Sequence, residues 1–211
     1  MKTDDLIRAL AADPSPQVPV THRLWRRLAL SLAASVALLG LAFGYRADLG
    51  AALLTPAPAL RLALALAIFG AGLRISLDLA RPGGTVRGRS WPLLSLAGGA
   101  GLLVAWALAV TPPSDWSAAV LGSTPAACLF GIVALSILPV AALLLALRHG
   151  ATGNPSRLGA MAGLTGSAAA AAVYVLHCTE DSPLFYIVWS GLAMALVTAA
   201  SARIGARLLR W

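Results

Sequence analysis

His177-Cys178-Thr179-Glu180-Asp181-Ser182-Pro183 puts an imidazole, a thiol and two carboxylates into five consecutive residues, between two mostly apolar runs, Leu158 to Leu176 and Leu184 to Ala206. Each run is about 20 residues long, the length an α-helix needs to cross a hydrocarbon core about 30 Å thick. The heptapeptide therefore reads as a polar turn joining two antiparallel membrane spans. That reading extends to the rest of the chain.

With 211 residues, 59% hydrophobic, 11% charged and a mean hydropathy of +0.81, the composition lies far from that of soluble domains, which are about 25% charged. Four further apolar runs, Leu24 to Tyr45, Pro58 to Leu79, Trp91 to Val110 and Pro125 to Leu147, bring the expected total to six transmembrane helices. The net charge of +8 reads as arginines flanking spans at a cytoplasmic surface, so no direct nucleic-acid binding is expected. Arg81, Arg87 and Arg89 fall between spans two and three, Arg148 and Arg157 between four and five, and Arg203, Arg207 and Arg210 at the end. The other connections carry Arg46 with Asp48, then Asp115, then His177, Glu180 and Asp181. The basic loops belong inside by the positive-inside rule, which places both termini in the cytoplasm and the heptapeptide outside.

Residues 1–22 form an arm and linker, and 23–211 the transmembrane domain. In the arm, Thr3 is placed to cap a short helix, Asp4 and Asp5 suit its positive end, and Leu6, Ile7 and Leu10 share one face. Pro14 to Pro19 make a stiff linker to the anchor His22-Arg23-Leu24-Trp25-Arg26-Arg27. The long, partly acidic arm and the lack of a small-x-small cleavage site favour an uncleaved first span over a signal peptide. Within the spans, Arg74 and Asp78 stand one helical turn apart and are expected to pair, while Arg61 is expected to snorkel outward. Gly98, Gly99, Gly101, Gly159, Gly163 and the run Ala168 to Ala172 read as close helix packing, and Pro139 as a kink.

Only two cysteines occur. Cys128 precedes Arg148, and Cys178 follows Arg157, by about 20 residues each, so antiparallel helices rising 1.5 Å per residue bring both thiols to one depth. The plain reading is a small buried residue and an incidental loop thiol. The sharper one is a redox or metal-responsive pair, with Cys128, His177 and Cys178 as candidate soft-metal ligands. His177 favours a thiolate at Cys178, whereas Glu180 and Asp181 oppose it. No C-x-x-C, G-x-S-x-G, H-E-x-x-H or phosphate-binding Gly-Lys motif appears, so neither an enzyme nor a cofactor is expected. A small transporter or metal exporter, dependent on Arg74 or Asp78, and a membrane thiol oxidoreductase are the alternatives.

The opening Lys2 to Asp13, the six spans, the lone outer Cys128 and the stretch His177 to Phe185 with Trp189 and Gly191 resemble the NrsF family of bacterial inner-membrane anti-sigma factors. The resemblance implies that the N-terminal arm captures an extracytoplasmic-function sigma factor, with Asp4, Asp5, Leu6, Ile7 and Leu10 as its contact residues. It also implies that the periplasmic Cys128 and Cys178 take part in sensing stress; the residues themselves suggest an oxidative or metal signal, with His177, Glu180 and Asp181 beside Cys178.

Overall fold

A proline stands at the start of every long helix but the first, and it sets where the helix begins. Proline lacks the N–H that a first helical turn leaves unused, and its fixed φ suits that turn. In the computed structural model, which describes residues 3, 5, 8, 20–81, 83–84 and 90–210, every regular element among the described residues is helical. The six long helices are α1 (Val20–Ala42), α2 (Pro56–Leu79), α3 (Trp91–Val110), α4 (Pro125–Leu147), α5 (Pro155–Tyr174) and α6 (Pro183–Leu208). All but α1 carry proline in their first two positions. A short turn, Leu49–Ala52, and a 3-10 segment, Pro113–Asp115, running into a helix at Trp116–Leu121 complete the described elements.

Five stretches are long and apolar enough to cross a membrane: Leu24–Ala42, Pro56–Leu79, Trp91–Val110, Pro113–Leu147 and Pro183–Leu208. The sixth long helix, α5, does not meet that standard, and its packing explains why. It contacts α1, α2, α4 and α6, and every residue from Thr165 to Tyr174 is buried. A helix surrounded by protein needs small residues more than oily ones. At Gly159 and Gly163 an added Cβ would come within 2.6 Å of Ser201, and Ser201 Oγ donates to the Gly159 carbonyl at 2.8 Å. At Gly166 a Cβ would meet the Val140 backbone nitrogen at 2.8 Å. The close packing expected of Gly159, Gly163 and the alanine run is therefore present.

It is absent at Gly98, Gly99 and Gly101, which correct the expectation: a Cβ at any of them would meet nothing among the described residues within 4 Å. α3 touches its neighbours lightly and buries only Ala107. Pro139 lies inside α4, where it cannot donate to the Leu135 carbonyl. Ser35 Oγ of α1 donates to that carbonyl at 3.2 Å, so the orphaned acceptor becomes a link between helices.

The connections gather at two ends. At one, Ala151 N–H donates to the Ala80 carbonyl and Arg27 Nη1 to the Leu145 carbonyl at 2.7 Å. At the other lie the segments around Phe43 to Asp48, Trp116 to Thr124 and Val175 to Ser182. Of the arm, Thr3, Asp5 and Arg8 are helical and exposed, whereas Asp4, Leu6, Ile7 and Leu10 lie outside the described residues.

Candidate functional site

Cys128 enters the site from the first turn of α4. Cys178 enters from the turn after α5, where its N–H donates to the Tyr174 carbonyl at 3.1 Å. Both thiols are free and buried, and both belong to one apolar cluster with Ile132, Tyr174, Phe185 and Tyr186.

A polar cap closes over the cluster, and Arg46 is its hub. Its Nε and Nη2 bind the two oxygens of Asp48 at 2.8 and 2.9 Å, a planar fork that matches a carboxylate. Its Nη1 reaches the Cys178 carbonyl at 3.2 Å and Asp181 Oδ1 at 3.5 Å, and its backbone N–H donates to the Leu176 carbonyl at 3.0 Å. One residue thus ties the segment after α1 to both sides of Cys178. The Asp48 bonds, with help from Asp181, hold the guanidinium pKa above its usual value, and the same fork holds Asp48 below the ordinary carboxylate range.

The predicted residues of the heptapeptide do not converge on the thiols. His177 Nδ1 pairs with the Gly44 carbonyl at 3.0 Å, and its ring packs 5.4 Å from Phe43 and 5.6 Å from Tyr174. Glu180 accepts from the Ser123 backbone N–H at 2.8 Å and from the Ser123 hydroxyl, which lowers its pKa. Asp181 faces Arg46. The carboxylates expected to oppose a thiolate are engaged elsewhere. Among the described residues no group of three or more His, Cys, Asp or Glu is disposed to hold a metal, so the soft-metal set Cys128, His177 and Cys178 is not assembled.

Two arginines escaped the sequence reading. Arg46 looked like a flanking charge, although it is the one cation in its loop. Arg61, expected to snorkel outward, is only 4% exposed; its Nη1 donates to the Glu180 carbonyl at 3.1 Å and its guanidinium lies 5.5 Å from the centre of the Tyr186 ring. The correction has a physical cause: protein backbone and an aromatic face replace water as its partners. The remaining cap bonds, Ser182 Oγ to the Ala119 carbonyl and Trp189 Nε1 to the Val120 carbonyl, dock the short helix Trp116–Leu121 onto α6. At the opposite end, Asp78 pairs with Arg81 at 3.8 Å, and Arg74 and Asp78 line a cavity of about 640 Å³ between α2 and α3.

A family model described as negative regulator of sigma F matches residues 9–211. A probable anti-sigma-F factor NrsF of Azospira oryzae is 34% identical over 221 residues, and the anti-sigma-F factor NrsF of Caulobacter vibrioides is 34% identical over 222 residues, with both chains covered in full each time. No solved structure matches. A helical chain with two buried thiols under a charged cap, matched over nearly its whole length, belongs to the NrsF family of negative regulators of sigma F.

Proposed function

We propose that the protein is a bacterial inner-membrane anti-sigma factor whose arm holds an extracytoplasmic-function sigma factor and releases it when Cys128 and Cys178 are oxidised. In this reading all six long helices span the bilayer, both termini are cytoplasmic, and the cap faces the periplasm. The basic residues at the Arg81, Arg148 and Arg207 end support that orientation.

The observation that carries the proposal is the position of α1. Its outer end delivers Phe43, Gly44 and Arg46 to His177 and Cys178, and its inner end leads into the arm. One helix of 23 residues, about 34 Å long at 1.5 Å per residue, joins sensor to effector. Hydrogen peroxide takes two electrons and two protons from the thiols, leaving a disulfide and two molecules of water. Joining the sulfurs shifts the turn that carries Cys178, which loosens the bonds of Arg46 and moves α1. In the cytoplasm, Leu6, Ile7 and Leu10 fill an apolar groove of the sigma factor, with Asp4 and Asp5 facing its basic residues. A short amphipathic helix is marginal alone in water and gains most of its stability from the groove that it fills.

Leu6→Asp or Leu10→Asp in the full-length protein should abolish co-purification of the sigma factor from solubilised membranes. Undiminished co-purification would sink the groove model.

A further inference from the structure

Arg61, Tyr186 and Ser190 line a partly open cavity of about 190 Å³ between α2, α3, α5 and α6. All three are at least nine-tenths buried. Arg61 Nη2 and the Tyr186 hydroxyl have no hydrogen-bond partner among the described residues. No carboxylate among the described residues comes within ion-pair distance of Arg61; the nearby Glu180 spends its carboxylate on Ser123. A cation withdrawn from water is costly; Glu180 acts on it only through space, and the Tyr186 face offsets only part of that cost.

The rest of the lining is apolar, including Leu64, Ile68, Ala100 and Met194. A guanidinium donates and cannot accept, and both hydroxyls can turn their protons toward an acceptor. Such a lining selects an anion with an apolar body. Size narrows the class further, because an apolar cavity of about 150 Å³ accommodates benzene. We propose that this cavity binds a monocarboxylate with an apolar body of about benzene size, the carboxylate on Arg61 and Tyr186 and the body between Ile68 and Ala100. The same chemistry is offered by a free aromatic acid and by a short fatty acid from the bilayer. The cavity borders the cluster that holds both thiols, through Tyr186, and its test reads ligand binding rather than release of the sigma factor.

The test is radiolabelled benzoate binding to the full-length protein in lipid nanodiscs, with empty nanodiscs as background. Saturable binding is expected, at least tenfold tighter than that of neutral benzamide, at least tenfold weaker in Arg61→Met and several-fold weaker in Tyr186→Phe. Should Arg61→Met fail to fold, Tyr186→Phe and Ala100→Phe decide: the second fills the cavity from the loosely packed α3 and must also weaken binding. Competition by octanoate tighter than benzoate itself assigns the ligand to the bilayer, and weaker competition assigns it to free aromatic acids; either supports the carboxylate site. Absence of saturable benzoate binding, equal binding of benzamide, or full binding in Tyr186→Phe together with Ala100→Phe overturns it.

Discussion

α3 and α5 are both 20 residues long, and both carry several glycines, yet they play opposite parts. α3 reads as the more obvious membrane helix, and only 6% of its apolar window is buried inside the protein. α5 falls short of the standard for a spanning helix and forms the centre of the bundle. The contrast teaches that in a membrane hydropathy reports contact with lipid, whereas membership of the core is reported by small residues at positions a neighbour's backbone must approach. Glycine alone does not distinguish the two cases. Gly163 faces α6, and Gly99 faces nothing among the described residues.

The comparison breaks most readily at those glycines. Gly166→Val drives a side chain into the Val140 backbone and should cost about 1–3 kcal/mol or more through overpacking. Gly99→Val, in open space, should stay within about 0.5 kcal/mol. Denaturant unfolding of the purified protein in micelles measures both, and equal losses would erase the distinction between α3 and α5.

The capped end should respond next. Arg46→Gln removes the fork to the exposed Asp48 and the buried tie to the Cys178 carbonyl, and should lower stability by less than Gly166→Val does. The accompanying sign is faster maleimide labelling of Cys178 in oriented vesicles. Labelling as slow as in wild type would mean that Arg46 does not seal the thiol.

Ser35→Ala should cost about 0.6–1 kcal/mol by leaving the Leu135 carbonyl without its interhelical donor. The same unfolding assay reads it, and Ser95→Ala on exposed α3, whose hydroxyl bonds only to the Pro92 carbonyl within its own helix, is the matched control with a smaller effect.

The smallest effect is on pH dependence. Asp48 and Glu180 have pKa values lowered by Arg46 and Ser123 respectively. A carboxyl with a folded value below its unfolded one contributes stability that is present above about pH 4.3 and is lost as pH falls through the lowered folded value. Thermal midpoints should therefore drop between pH 5 and pH 3, and Ser123→Ala should flatten that slope slightly. A midpoint that rises on acidification would contradict the assigned contacts.

Much of this was legible in the sequence. The runs Trp91 to Val110 and Pro125 to Leu147 coincide with α3 and α4, and the other four long helices differ from the apolar runs by a few residues at their ends. Apolar runs of about 20 residues, separated by charged connections, carried that information. The site was only half legible. Placing both thiols at one depth required helix rise alone, and both occupy one apolar cluster. The directions of His177, Glu180 and Asp181 were set by partners far away in the chain: Gly44, Ser123 and Arg46. Adjacency in sequence suggested that they act on Cys178, and the turn after α5 splays them to three different neighbours. Arg46 and Arg61 were missed for the same reason, since a lone arginine near a span end looks alike whether it meets lipid headgroups or a carbonyl of the next loop.

The most direct test of the central claim uses membranes holding the full-length protein with its sigma factor bound, treated with hydrogen peroxide and separated by centrifugation. Release into the supernatant from wild type, retention in Cys128→Ser/Cys178→Ser, and a non-reducing mass shift of one disulfide in the wild type alone are the predicted results. Equal release from wild type and the double serine variant, or no release from either, would contradict a cysteine-driven signal.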